Sequence, residues 1–399
     1  MVTLSHRGDA AVLGGALSEV DTLDRQALAN GQVDSQAEVS IETSVITGNV
    51  ALFAGGGVSN YGILTGTAGI TISQTTVSSN TAGLGGGVSN IGLGGGTARL
   101  LAEQSTVSEN SAWYFGGGVF NRGAGYVDGE VCANGVGLLT LRNTTVSGNR
   151  AVEWLGGGVA NWAGSGDEFA GGPCGIGRTS LEHATVSGNE APVGGGVLNI
   201  TYNATGEATL SHSIISGNRA GEAASEAGDY CYEQDGSEHA CDGIVANDYN
   251  LFGHAAENDY EAFAGTFTPT VGSDIKATSD GRNTPLSGIL DPILRDNGGR
   301  TKTHALVFGS PAIDAGDPAF SPPPYYDQRG PGYPRVVNRR IDIGAYEYQP
   351  PVGGVTVESG WLGLLSSRVR LLLWGLVATL GTFTAALGWR SAARPTGDP

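Results

Sequence analysis

The hexamer Gly-Gly-Gly-Val-x-Asn recurs five times in the first half of the chain and constrains its fold more than any other feature. Successive copies begin 30, 31, 40 and 38 residues apart. A second mark, an asparagine three residues after Val or Ile, recurs with the same period up to Asn218. Two marks per period of this length are typical of a solenoid, in which one structural unit stacks on the next. The hexamers occupy 55–60, 85–90, 116–121, 156–161 and 194–199.

The residues around these marks favour strands over helices. Thr, Val, Ile and Ser dominate beside them, which is strand composition. Three consecutive glycines would cost each helix of a helical solenoid about 3 kcal/mol. Two or three short strands per unit, joined by Gly/Asn corners, predict an all-β fold, the parallel β-helix. The crossover rule predicts right-handed winding.

In such a stack, each residue lies above its counterpart in the next coil. We therefore expect the hexamer valines to form an internal aliphatic ladder. Stacked asparagines bond along the axis and tolerate left-handed backbone, so we expect the hexamer asparagines to form a corner ladder. Its members are Asn60, Asn90, Asn121, Asn161 and Asn199.

The period fades after Asn218, and this divides the chain. We assign 1–218 to β-helix repeats, 219–349 to irregular coils and a β-rich cap, and 350–370 to a linker. Residues 371–389 carry no charge and are long enough to span a bilayer, so they predict one transmembrane helix before a tail at 390–399. The open end of a β-helix exposes unpaired strand edges, and 291–349 is the segment expected to cover it.

Five short sequence motifs in the last part of the chain resemble those of a known family. They are DNGG from Asp296, THAL from Thr303, GSPAIDAGD from Gly309, DQRG from Asp327 and DIGAYE from Asp342. In this order they resemble the choice-of-anchor Q domain of bacterial surface proteins, which follows right-handed parallel β-helix repeats. The resemblance implies display on a cell surface and a membrane or wall anchor. No signal peptide is visible at the start, which we interpret as a truncated N-terminus.

Four cysteines lie in two pairs. Cys132 and Cys174 follow the hexamers of adjacent repeats at similar distances, inside the insertions that lengthen those periods. Stacked coils lie about 4.8 Å apart, which a disulfide tolerates. Cys231 and Cys241 flank a polar loop that a local bridge would close. We expect two disulfides and an oxidising compartment, with four free thiols as the alternative.

Charge excludes one class of partner and suggests a cofactor. The net charge of −18 repels phosphate backbones, so no nucleic acid is expected as a partner. The motifs that resemble the anchor domain contain Asp314, Asp317 and Asp327, which are candidate ligands for Ca²⁺. The competing interpretation pairs these carboxylates with nearby arginines and turn amides.

Aromatic residues supply the candidate ligand-binding positions. Trp113, Tyr114 and Trp154 lie in the variable segments before the hexamers, and Trp162 lies in the fourth insertion. On the side of a β-helix they would stack on sugar rings, or else pack the insertions together. We expect a non-catalytic, surface-anchored stalk, adhesin or glycan-binding module whose partners are a membrane and a polysaccharide. The alternative is a polysaccharide lyase or glycoside hydrolase, but no catalytic residue is assigned because no acid pair recurs on the strands.

Overall fold

The computed structural model describes residues 2–7, 11–13, 18–19, 36–128, 131–164, 174–202, 204–221, 225–232, 238–239, 243–263, 269 and 272–350. In these residues the chain is nearly all-β, with one short helix, Asp259–Phe263, and one 3₁₀ turn, Leu286–Gly288. The coils and the 291–349 segment belong to one compact unit, Met1–Gln349.

Three large sheets run along the described part of the stack. Sheet 1 contains Val2–Arg7, Gln36–Glu42, Thr67–Ser73, Thr97–Glu103, Val136–Arg142, Ile176–Glu182, Thr205–Ser211 and Ile244–Ala246. Sheet 2 contains Ala11–Leu13, Ser18–Glu19, Val58–Ile63, Val88–Leu93, Val119–Ala124, Val159–Gly164, Val197–Tyr202, Ala227–Tyr232 and Glu238–His239. Sheet 3 contains Val45–Thr47, Thr76–Ser78, Thr106–Ser108, Thr145–Ser147, Thr185–Ser187, Ile214–Ile215, Leu251–Phe252 and Ile275–Lys276.

Two smaller sheets complete the described strands. Thr81–Leu84, Ser111–Phe115 and Arg150–Ala151 pair in parallel beside the main stack. Tyr126–Asp128 and Val131–Ala133 form an antiparallel hairpin in the third repeat's insertion.

Each strand pairs in parallel with the strand one repeat later, which is the arrangement of a parallel β-helix. The hexamers are in exact register, because Val88 pairs with Val58 on one side and with Val119 on the other. Antiparallel pairing occurs at the first strands of sheets 1 and 2 and at the last strand of sheet 2. The handedness of the winding stays a prediction.

The core lies inside the coil and is built from one apolar series per sheet. The hexamer valines, from Val58 to Val197, are fully buried from sheet 2. Sheet 3 contributes the middle residue of each Thr-Val-Ser strand, such as Val107 and Val146. Sheet 1 contributes alternate residues of its strands, such as Leu139 and Leu141. Period-2 alternation thus directs apolar side chains from all three sheets to one axis.

Both asparagine series form hydrogen-bonded ladders. Along the hexamer ladder, from Asn60 to Asn199, each Nδ2 donates to the next Oδ1 at 2.7 Å. The second ladder, from Asn49 to Asn218, is continuous at 2.8–3.0 Å. The expected left-handed backbone at the hexamer asparagines is wrong, because these residues lie within extended strands. Positive φ angles occur instead just before the second ladder's asparagines, as at Ser79 and Glu109.

The first two glycines of the hexamer have separate structural causes. The first has a φ of +57° to +72° in every copy, a conformation that favours glycine. At the second, a Cβ would lie 2.3–2.5 Å from backbone atoms of the neighbouring coil. The triple glycine therefore serves a sharp corner and a close approach between coils.

The 291–349 segment covers the side of the stack, where we had expected a cap over its end. Thr106 Oγ1 donates to the Lys302 carbonyl at 2.6 Å, and the Ala345 amide donates to Thr185 Oγ1 at 3.0 Å. The outward threonines of sheet 3 give way to Ile214 and Leu251 in later coils, which join a second apolar core with this segment. The segment binds here because sheet 3 presents threonine hydroxyls that hydrogen-bond to it in the early coils and apolar side chains in the later ones.

Two sequence predictions fall largely outside the described residues. Cys174 is buried and disulfide-bonded, but the side chains of Cys132, Cys231 and Cys241 are not described, so both pairings stay predictions. The proposed transmembrane segment 371–389 also lies outside. In the part of the chain that the structure describes, no helix has the length and apolar character needed to cross a membrane.

Candidate functional site

The segments between the second-ladder asparagines and the hexamers lie side by side on the surface, and we call them the arms. They comprise 50–54, 81–84, 111–115, 150–155, 190–193 and 219–221. Parallel pairings place Val50, Thr81, Ser111, Arg150, Glu190 and Arg219 in one file across successive coils. The ladder residues are the same in every repeat, whereas the arm residues differ. The arms therefore give the described stack a surface that is specific to this chain.

The arms present large aromatic side chains to solvent. The exposed fractions are 65% for Phe53, 53% for Trp113, 42% for Tyr114 and 51% for Trp154. The Tyr114 and Trp154 rings meet edge to face, with centroids 5.5 Å apart. Backbone bonds from the Glu153 amide to the Trp113 carbonyl hold the third and fourth arms together. These exposed rings therefore lie on a fixed backbone, and we call them the aromatic face.

Trp162 belongs beneath this face and not to it. Its ring lies 4.7 Å from that of buried Phe115 and 5.6 Å from the Arg122 guanidinium, by centroid distance. Its indole Nε1 is buried and makes no hydrogen bond. Phe115 and Trp162 pack in an apolar cluster between the arms and the outer face of sheet 2. Trp162 is only partly buried, so its role as a ligand-contacting residue stays a prediction.

A shallow groove of about 230 Å³ continues from the aromatic face across the last three arms. Its charged wall is the file Arg150, Glu190 and Arg219, and its remaining lining is Ala151, Val152, Ala191, Pro192, Ala220 and Gly221. Arg219 Nη2 lies 2.5 Å from Glu190 Oε2, and Arg150 Nε lies 3.9 Å from Glu190 Oε1. One carboxylate thus faces two guanidinium groups.

Glu226, His254 and Glu257 form the candidate metal centre of the described residues. Their ligand atoms all lie within 4.8 Å of one another, and no other set of described His, Cys, Asp and Glu residues meets this condition. His254 Nδ1 is 2.8 Å from Glu257 Oε2 and 3.7 Å from Glu226 Oε1. Two carboxylates and an imidazole form a donor set that suits a divalent transition metal.

The same glutamate also has a structural task, because it ends the second asparagine ladder. Asn218 Nδ2 donates to Glu226 Oε2 at 2.8 Å, and the Gly217 amide donates to Oε1 at 2.8 Å. Both carboxyl oxygens accept these donors, so Glu226 satisfies the last donor of the ladder. Asp229 ends the hexamer ladder in the same way, accepting from Asn199 at 2.7 Å.

Burial strongly affects the protonation of this cluster. Burial and then the charge of Glu257 raise the pKa of Glu226 well above its usual value. Burial also raises the pKa of Glu257 to about 7. Two adjacent buried carboxyls avoid repulsion when they share a proton. The cluster can therefore hold a proton near neutral pH.

Asp314, Asp317 and Asp327, the calcium candidates, are not brought together into such a group. Asp327 forms a buried ion pair with Arg329 at 2.6 Å, and the Arg329 guanidinium lies between the rings of Tyr333 and Tyr346. Asp317 Oδ1 accepts the Ala319 amide, and the Asp314 amide donates to Asp342. The described contacts of the three are thus those of an ion pair and of turns.

A pair of histidines lies where the coils turn, at positions that no sequence motif marks. His183 and His212 occupy equivalent corners of adjacent coils, with ring centroids 4.9 Å apart. Burial lowers the pKa of His212 to about 4, and burial also lowers the pKa of His183 well below its usual value. Their spacing of one repeat was the available signal. The neutral rings pack against Phe320 of the C-terminal segment, which indicates a structural role.

Comparisons with known proteins found no match to this chain. No family model, curated protein or solved structure matches it.

Proposed function

We propose that this protein is a non-catalytic carbohydrate-binding module built on a right-handed parallel β-helix and carried on a bacterial cell surface. The observation that carries the proposal is the aromatic face, in which Phe53 on the first arm, Trp113 and Tyr114 on the third and Trp154 on the fourth are exposed on a rigid stack. An exposed ring buries its apolar area when the C–H face of a sugar stacks on it. Repetition at coil spacing suits a polymer, since weak contacts add up along its length.

The described carboxyl groups support binding over catalysis. The pair in the candidate metal centre, Glu226 and Glu257, includes one group that is 1% exposed and holds the end of a ladder. A glycosidase needs its pair on either side of a bond in an open cleft. This pair therefore gives no support to the hydrolase alternative.

The remaining parts of the proposal rest on the sequence. The uncharged stretch 371–389 supports attachment through a transmembrane helix. The motifs that resemble the anchor domain support an adhesin or stalk role. Disulfides between Cys132 and Cys174 and between Cys231 and Cys241 fit an extracellular location.

Retention of the full-length protein by a panel of immobilised neutral and acidic polysaccharides tests this function. We expect Trp113→Ala and Trp154→Ala each to weaken retention about fivefold or more, the effect of losing one aromatic contact. Phe308→Ala is the matched control, because Phe308 is 89% exposed but lies outside the arms. Equal losses in all three variants, or release of new reducing ends from the polymer, would contradict a binding role for the aromatic face.

A further inference from the structure

We infer that the groove beside the aromatic face binds the carboxylate of an acidic sugar within a mainly neutral glycan. This inference rests on the proposed function and adds a ligand class to the same surface. It concerns Arg150, Glu190 and Arg219 together with the small residues between them.

The register of the coils creates the charged wall. Arg150 pairs with Glu190, and Glu190 pairs with Arg219, as parallel bridges between three successive arms. The side chains are therefore stacked at coil spacing on a fixed backbone. Their exposed fractions are 57%, 37% and 73%, so the guanidinium groups remain open to a ligand.

The charge of the wall selects the ligand. One glutamate offsets one of two arginines, which leaves a local charge of +1 on a chain whose net charge is −18. Arginine presents planar pairs of N–H donors that match a carboxylate. A polymer with a carboxylate on every unit would be repelled by the rest of the protein. Sparse carboxylates on a neutral chain satisfy both conditions.

The lining and position of the groove fit a sugar. Between the charged residues lie Val152 and Pro192, whose apolar surfaces match the C–H face of a ring. The volume of about 230 Å³ is below the range of drug-sized pockets, which suits a single sugar unit. Trp154 lies on the same arm as Val152, so a neighbouring sugar would meet the aromatic face.

The test compares two soluble probes, a neutral xylo-oligosaccharide and the same oligosaccharide with one glucuronic acid branch. Titration calorimetry with the full-length protein should give about tenfold tighter binding of the acidic probe. Added salt should remove most of that difference, because the contact is an exposed charge pair.

Three variants assign the effect to the groove. Arg219→Gln should abolish the preference for the acidic probe, and Glu190→Gln should increase it by removing the competing carboxylate. Arg178→Gln is the matched control, because Arg178 forms a solvent-exposed ion pair with Glu207 on sheet 1, at 3.5 Å, outside the groove.

The outcomes separate this inference from the proposed function. Equal binding of both probes by the native protein, or equal loss in Arg178→Gln and Arg219→Gln, overturns the acidic-sugar inference and leaves the aromatic face in place. No binding of either probe overturns the acidic-sugar inference, whereas the polysaccharide retention assay decides the proposed function separately. Far-UV circular dichroism of each variant verifies that the stack is intact.

Discussion

Replacing Asn121 by alanine should remove one rung from the middle of the hexamer ladder. Its side chain is fully buried, and Nδ2 donates to Asn161 Oδ1 at 2.7 Å, to the Gly137 carbonyl at 3.1 Å and to the Arg178 carbonyl at 3.0 Å. Its Oδ1 accepts from Asn90 at 2.7 Å. Nδ2 has only two hydrogens to share among these three acceptors. Together with the bond that Oδ1 accepts, the substitution therefore removes three hydrogen bonds.

The neighbours determine how much stability is lost. Asn90 Nδ2 keeps the Ala98 and Leu138 carbonyls, and Asn161 Oδ1 keeps the Thr179 hydroxyl. Three bonds at about 1 kcal/mol each, with about 1–2 kcal/mol for carbonyls left without this donor, give a loss of about 4–5 kcal/mol. Asn49 lies at the partly exposed start of the other ladder, so Asn49→Ala should lower the free energy of unfolding by only about 1 kcal/mol.

Urea unfolding followed by far-UV circular dichroism measures both variants in the full-length protein. The slope of the transition shows whether the stack still unfolds as one unit. If Asn121→Ala lost no more stability than Asn49→Ala, the ladder would not contribute to stability through its buried hydrogen bonds, and the reasoning would fail.

Three other changes test the backbone and the buried acids. Glu109→Gly should stabilise the fold by about 0.5–1 kcal/mol, because Glu109 has a φ of +56°, whereas Gly148→Ala at the equivalent corner should destabilise it; thermal melting measures both. Gly117→Ala should destabilise it by several kcal/mol, since a Cβ would lie 2.4 Å from Gly157 O; the urea midpoint would show this, and an unchanged midpoint would contradict the close approach. The raised pKa of Glu257 means that the folded state binds its proton more tightly, so its contribution to stability is complete below about pH 4.5 and lost as pH rises through about 7; Glu257→Gln should flatten the unfolding free energy in this window, and an unaltered pH profile would refute the assignment.

The stacked core and the two ladders could be predicted because they repeat. Val58 to Val197 and Asn60 to Asn199 hold the same position in each period, so one strand assignment applies to all copies. The left-handed corner was misplaced because glycine and polar residues at Gly48, Ser79 and Glu109 give no uniform signal.

The candidate site was predicted only in part. Trp113, Tyr114 and Trp154 lie in variable arms and proved exposed, whereas Trp162 lies beneath them. Trp162 was assigned to the fourth insertion but lies in the sheet 2 strand Val159–Gly164, and the sequence gave no indication of how deeply its ring would be buried. Side-chain depth depends on the neighbouring coils, and Phe115 comes from another repeat.

The sequence by itself determined the parallel stack, because periodic valine, asparagine and glycine satisfy the same backbone and core requirements in every coil. Only the tertiary structure decided what lies outside the period. It joined Glu226 to His254 and Glu257. It also laid the C-terminal segment along sheet 3. These contacts link residues separated by many positions without any repeating spacing, so their proximity follows from packing and not from pattern.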